Sequence, residues 1–344
     1  MIRDARAGVW TETALFALAS VLLAQMGLGV FLFLAPLQIL FMRRGAASLA
    51  AGAGLTLTGV GAVRLISAAA SHALGETRAL LFVEIFAIAI LLVGLVIVNV
   101  YDGRPPLRFP LRSAPRLLMA TAVGGLLCVP VVLAFRTQNQ LGDSITSVFR
   151  AAADGVAKVF TQGSSSLQSP GGVDASALAK GMVDLALQVF PRTFLLYYFV
   201  ILTFCWWAGR LASARTTGPA SRPARLHDFK LPDVYVWPLI GSLALVLADV
   251  AFGIGAMAAI AWNAGLIMLF LFGLQGLGIV QFVFARYSVS RTMRVVVYAV
   301  LAVMFVSPGA NIAVIVGIPA LGVSEIWLKY RTRRRKDDAD EGDT

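Results

Sequence analysis

The sequence predicts an all-α polytopic transmembrane helical bundle with about 8–10 membrane segments. Three observations predict it. Apolar runs near the length needed to cross a bilayer as a helix recur along the chain. Hydrophobic residues make up 58% of the sequence and charged residues 14%, too little charge for the surface of a soluble domain of 344 residues. The runs also lack the strict apolar/polar alternation of outer-membrane barrel strands. The net charge of +11 raises the question of nucleic acid, but the Arg and Lys residues stand in short loops and tails beside the apolar runs. That placement marks a cytoplasmic membrane face, so no nucleic-acid partner is expected.

The first apolar stretch, 13–42, is about 45 Å long as a helix, too long for one untilted span. Gly27, Gly29 and Pro36 mark a break within it, which makes it a hairpin of two short helices or one steeply tilted helix. Its basic beginning resembles a signal peptide, but the apolar run continues past any cleavage point and reads as an uncleaved first span. Further runs follow at 46–67, 79–101, 117–135, 190–212, 234–252, 254–285 and 295–328, the last broken at Ser307-Pro308-Gly309.

Loop charge chooses between the two readings of the first stretch. With a hairpin, the loop 102–116 (Arg104, Arg108, Arg112, Arg116), the loop 210–233 (Arg210, Arg215, Arg222, Arg225, Lys230), the turn 286–294 and the basic tail all fall on one side with the N-terminus. That arrangement obeys the positive-inside rule throughout and places both termini in the cytoplasm. A single tilted helix would send the Arg-rich loop 102–116 outside.

Four regions follow: N-terminal transmembrane segments over 1–135, an extracytoplasmic loop over 136–189, C-terminal transmembrane segments over 190–330, and a charged cytoplasmic tail over 331–344. The loop carries equal numbers of acidic and basic residues. Within it, 144–160 places Ile145, Val148, Phe149, Ala152, Val156, Val159 and Phe160 on one helical face, and 173–190 does the same with Leu178, Met182, Leu185 and Val189. Two amphipathic helices on the outer surface, joined by the turn-prone QGSSSLQSPGG, are the expectation. In the tail, the basic cluster 331–336 suits anionic lipid headgroups, and the acidic end is a solvated charge run.

Polar side chains inside spans are costly and point to function. On this topology Arg64, Glu84, Asp249, Asn263 and Asn311 gather in the outer half of the bundle, where a solute-binding cavity can sit. The competing reading is structural: Arg64 and Glu84 as an ion pair between neighbouring helices, Asn263 and Gln275 as hydrogen-bonding glue. Cys128 and Cys205 fall in apolar runs with no CxxC or Cys/His spacing, so neither a disulfide framework nor a metal site is expected. There is no nucleophile with a base nearby, no HExxH, and no phosphate-binding Gly loop followed by Lys. No catalytic residue, enzyme activity or cofactor is expected.

The most distinctive stretch is WNAGLIMLFLFGLQGLGIVQFVFAR (262–286), where an apolar run carrying one Asn meets a Gly-Leu-Gln-Gly-Leu-Gly step. With FKLPDVYVWPLIGSLAL (229–245) before it and LGVSEIWLKYRTRRR (321–335) after it, it resembles the C-terminal half of the YybS-like bacterial membrane proteins (DUF2232). An F-x-L-P-D opening, a Q-G-L-G step and a G-x-x-x-x-W-x-x-x-R ending carry the likeness, through Gln275, Gly276, Gly278 and Trp327. Where the family often has Asp before the final Trp, this chain has Ser324-Glu325-Ile326-Trp327. The resemblance implies a bacterial inner-membrane location and distant kinship with the substrate-binding S components of energy-coupling-factor transporters. In those proteins the ligand lies in the outer half of a small bundle, and Ala-rich helix faces dock a coupling subunit.

The expected function is therefore solute binding or transport without an ATPase of the chain's own, in the lipid bilayer and with another membrane protein or coupling subunit as partner. A non-transporting scaffold for an envelope or membrane complex is the alternative. On this topology, a cysteine introduced at Ser165 reacts with a membrane-impermeant maleimide applied from outside and one at Ser221 does not; the reverse labelling would overturn the charge argument.

Overall fold

The computed structural model describes residues 2–26, 29, 31–70, 74–100, 114–137, 146–147, 150, 153–156, 175–217 and 225–331. Among them are ten α-helices and no strand: α1 Ile2–Gln25, α2 Ala35–Arg44, α3 Ala46–Ala70, α4 Leu74–Val100, α5 Ala114–Thr137, α6 Ala175–Thr217, α7 Val236–Phe252, α8 Ala256–Arg286, α9 Arg291–Val306 and α10 Ala310–Leu328. Eight of these are long and apolar enough to cross a membrane. The Arg-rich loop 102–113 and the tail beyond Arg331 lie outside the described residues. The interior is apolar, and so is much of the outer surface. Large side chains such as Leu18, Leu126, Leu247 and Val303 point outward, as they do where the solvent is hydrocarbon.

The chain forms two compact units, Met1–Leu107 with Pro115–Arg222, and Arg108–Ala114 with Pro223–Thr344. The first begins with a broken hairpin. α1 ends at Gln25, and α2 returns far enough for Arg43 Nη1 and Arg44 Nε to donate to Glu12 Oε1 and Oε2 at 2.9 and 2.7 Å. Ten residues rise about 15 Å, half of the roughly 30 Å hydrocarbon core, so α2 is a half-length helix folded back along α1 and the chain does not continue as one tilted helix.

Its turn has to satisfy its own backbone at membrane depth. Gly29 N, Leu32 N and Ala35 N donate to Met26 O, Gly29 O and Leu32 O at 2.8 Å each, and the Cys205 thiol of α6 donates to Phe31 O at 2.8 Å. A side chain at Gly29 would run into Leu23 O, so only glycine fits there. Pro36 at the first turn of α2 removes an amide that has no intrahelical partner anyway. Pro36, Leu37, Gln38 and Leu40 are buried, with α1, α3 and α6 packed around them.

α6 departs from expectation. The amphipathic helix expected over 173–190 is not a separate element but the first part of a 43-residue helix that continues through Pro191 into the span. At about 65 Å it is twice the membrane core, so one end stands in water. The face also differs. Ala179 and Val183 are buried with Ala153, while Leu185 is 60% exposed and Val189 is also exposed. Met182, a member of the expected stripe, does pack against this cluster together with Leu187, so the buried face is rotated from the expected one and overlaps it at Met182. Most of the expected helix over 144–160 lies outside the described residues.

In the second unit α8 is the centre, its apolar stretch 44% buried against 17% for those of α7 and α10. α7 turns into it through Gly253, left-handed at φ 67°, whose N–H donates to Asp249 O at 2.8 Å. α9 reverses the chain after α8, with Phe284 edge-on to Tyr298, and α10 returns beside α8 after the Ser307-Pro308-Gly309 break. α8 and α10 run in the same direction and touch backbone to backbone. A side chain at Gly276 would strike Ile318 O, and one at Gly322 would strike Phe272 O. Small residues at such crossings replace the hydrophobic drive that lipid cannot supply.

Gly276→Ala is therefore expected to destabilise the protein by about 2 kcal/mol through overpacking. Gly317→Ala, with open space around it, is neutral or stabilising by up to about 1 kcal/mol from helix propensity. Thermal unfolding of both variants in one detergent checks the contrast.

Candidate functional site

The five residues of the expected outer cavity fall in both units. In the first, Arg64 Nη2 on α3 and Glu84 Oε1 on α4 form an ion pair at 2.6 Å, with each side chain about one-third exposed. In the second, the buried Asp249 accepts from Trp262 Nε1 at 2.9 Å, joining α7 to α8. Asn263 is 1% exposed and donates from Nδ2 to Ala259 O of its own helix at 2.7 Å. Asn311 is half-buried at the start of α10, where its backbone N–H donates to Ser307 O at 3.0 Å.

The densest polar arrangement is built instead on the Gln-Gly step of α8. The glycine contact brings α10 close enough for the buried Gln275 side chain to reach a main-chain carbonyl, and Gln275 Nε2 donates to Gly322 O at 2.8 Å. Its Oε1 accepts the amide of Leu231 at 2.8 Å. Leu231 belongs to the F-x-L-P-D segment that runs between two 3-10 turns, Leu226–Asp228 and Asp233–Tyr235, toward α7. One amide thus ties three pieces of chain together. Beside it Gly278 has no room for a side chain, because Leu226 O and Arg331 Nη2 occupy that space.

Arg331 completes the cluster. Lys329 caps α10 in the left-handed region at φ 42°, its N–H donating to Glu325 O at 3.0 Å. The guanidinium of Arg331 then lies between the last turn of α10 and the middle of α8. Nη1 donates to Phe229 O at 2.8 Å, Nη2 to Gln275 O at 3.2 Å, and Nε lies 3.0 Å from Glu325 Oε1. Burial pulls the Arg331 pKa below its ordinary value and the carboxylates of Glu325 and Asp228 oppose that pull. A guanidinium keeps its charge through such a shift. The Glu325 side chain is 2% exposed, and its Oε2 has no hydrogen-bond partner among the described residues. Of the family-motif residues, Gln275, Gly276 and Gly278 build this clamp, whereas Trp327 is exposed.

The clamp holds the segment before α7 against α8 and α10; among the described residues it sets no nucleophile beside a base. Among the described residues no group of three or more His, Cys, Asp or Glu gathers as a metal site would require.

Sequence reasoning passed over a second buried polar arrangement. Gln38 on α2 and Asn99 on α4 face each other fully buried, Nε2 donating to Oδ1 at 3.1 Å and Nδ2 to Oε1 at 2.7 Å, while Asn99 Nδ2 also donates to Leu95 O at 2.9 Å. Gly209 of α6 closes over Gln38, with no space left for a side chain. Both residues are polar in apolar runs, the signal that could have found them.

Removing one member of a buried ion pair costs about 3–5 kcal/mol, because the other charge stays behind. Glu325→Gln and Arg331→Met are each expected to lower the unfolding free energy by an amount approaching that range. The double variant should fall short of the sum by at least about 1 kcal/mol. Additive losses in equilibrium unfolding would show that the two side chains act independently.

The family model described as "Predicted membrane protein (DUF2232)" matches residues 13–319. No curated protein and no solved structure matches the chain. The match takes in both units and the Gln-Gly step, with the clamp's Glu325 and Arg331 just beyond its end, and the chain belongs to the DUF2232 family of predicted membrane proteins.

Proposed function

We propose that this multi-pass membrane protein is a non-catalytic organising subunit of a bacterial inner membrane, with both termini in the cytoplasm, that works by holding another membrane protein in place. The observation that carries this reading is that Arg64, Glu84, Asp249 and Asn263 are each engaged by protein groups. A solute binding through them would have to replace those bonds, and each buried partner left unpaired costs about 1–3 kcal/mol.

A specific observation favours a second reading, solute binding in the manner of S components, with any ATPase supplied by a partner. The short α2 carries the buried Gln38–Asn99 pair after a Gly/Pro-marked break, and the C-terminal half also has a Gly/Pro-interrupted segment at Ser307-Pro308-Gly309. Short or interrupted segments in corresponding positions of two halves are the features from which transporters build midplane sites.

Proteoliposome binding with a metabolite panel separates the two. The organising reading expects no saturable binding. A metabolite that binds saturably and weakens at least about tenfold, or about 1.4 kcal/mol, in Glu84→Ala, Asn263→Ala or Gln38→Ala would replace it with the solute-binding reading.

A further inference from the structure

A cavity of about 240 Å³ opens between the ends of α8 and α10, lined by Phe282, Val283, Arg286, Tyr287, Leu328 and Tyr330. Its lining is ordered along the membrane normal. The apolar spans end at Arg286 and at Leu328, so Phe282, Val283 and Leu328 belong to the hydrocarbon side. Arg286, Tyr287 and Tyr330 stand at the boundary and just past it. From these observations we propose that the cavity is a binding site for the phosphate-bearing headgroup of an anionic phospholipid, with the start of the acyl chains on the apolar wall.

Size, chemistry and charge each support this occupant. Small-molecule sites run to roughly 300–1,000 Å³, and this one is smaller, suited to a headgroup rather than a larger metabolite. An arginine presents a fork of donors that matches phosphate oxygens, and tyrosines are characteristic of the headgroup level. Tyr330 is held in position, its hydroxyl 3.2 Å from Ser324 Oγ, and the left-handed Lys329 turns the chain so that Tyr330 faces the cavity.

Arg286 is part of the lining, Lys329 adjoins it in sequence, and the lining itself holds no carboxylate. The nearest carboxylate on α10, Glu325, is already paired with Arg331. This excess of positive charge selects an anionic lipid over a zwitterionic one. The apolar wall argues for a lipid rather than a free phosphate ester, which would leave Phe282, Val283 and Leu328 uncovered.

The test uses the full chain in detergent, with retained lipid counted by native mass spectrometry after exposure to an equimolar mixture of phosphatidylglycerol and phosphatidylcholine. The wild type should retain phosphatidylglycerol preferentially, and sn-glycerol 1-phosphate at the same concentration should not displace it. Arg286→Gln should weaken retention about fivefold, the effect of one interfacial charge. Arg291→Gln, at the start of α9 and outside the cavity, should change it less than about twofold on the same scale. Tyr287→Phe/Tyr330→Phe, which removes both phenol hydroxyls, gives an independent route should Arg286→Gln fail to fold, and it too should weaken retention. The proposal is overturned by equal retention of the two lipids, by displacement with glycerol phosphate, or by equal losses in Arg286→Gln and Arg291→Gln. It is also overturned if folded Arg286→Gln or the double tyrosine variant binds like wild type.

Discussion

Two helices that touch through glycine carry the architecture of the C-terminal unit. In water, α8 and α10 would be driven together by burying leucines; in hydrocarbon that drive is absent, and what remains is close packing and hydrogen bonding. Gly276 and Gly322 remove the side chains that would hold the backbones apart. Only then does Gln275, one residue before Gly276, reach the carbonyl of Gly322, and only then does its other end come to hold the amide of Leu231. Glu325, three residues beyond Gly322, meets Arg331 because the left-handed Lys329 turns the chain at that point. Steric absence at two positions is thus the condition for a polar cluster that draws in the segment before α7.

The N-terminal unit solves the same problem differently. Its half-helix α2 is held by an amide pair, Gln38 with Asn99, in which each side chain has a donor and an acceptor to offer and no charge has to be buried. Tyr198 does comparable work farther along α6. Its hydroxyl donates to Ile90 O at 3.1 Å, and its ring fills the space that side chains at Gly94 and Gly124 would need. In both units a glycine on one helix makes room for a polar group from another.

Much of this was legible in the sequence because the bilayer imposes length and polarity on every span. The break near Gly27, Gly29 and Pro36 and the one at Ser307-Pro308-Gly309 both show as Gly/Pro interruptions, and the structure turns at each. Gln275 stood out as a polar residue in an apolar run. Its partners did not, because a backbone amide and a backbone carbonyl leave no signature in residue type. Gln38 and Asn99 were hidden by 61 residues of separation, since a pairing across helices is a fact of packing rather than of local pattern. The continuity of α6 was hidden for another reason: its first half has the amphipathic periodicity of a helix at an aqueous surface and its second half the uniform apolarity of a span. The change of composition at Phe190-Pro191 reads as an element boundary where the backbone has none.

The half-helix α2 also has a consequence for how the protein is made. Ten residues that end in Arg43-Arg44 are too short to be recognised as a span during membrane insertion, so α2 has to enter as part of the hairpin with α1. At that moment Gln38 has no partner. Asn99 emerges from the ribosome 61 residues later, and Cys205 and Gly209, which bind and cover the turn, more than a hundred residues after that. Until then the polar hairpin tip is exposed to lipid or must be sheltered by the insertion machinery. The hairpin that opens the unit therefore reaches its final surroundings only when α6 is in place.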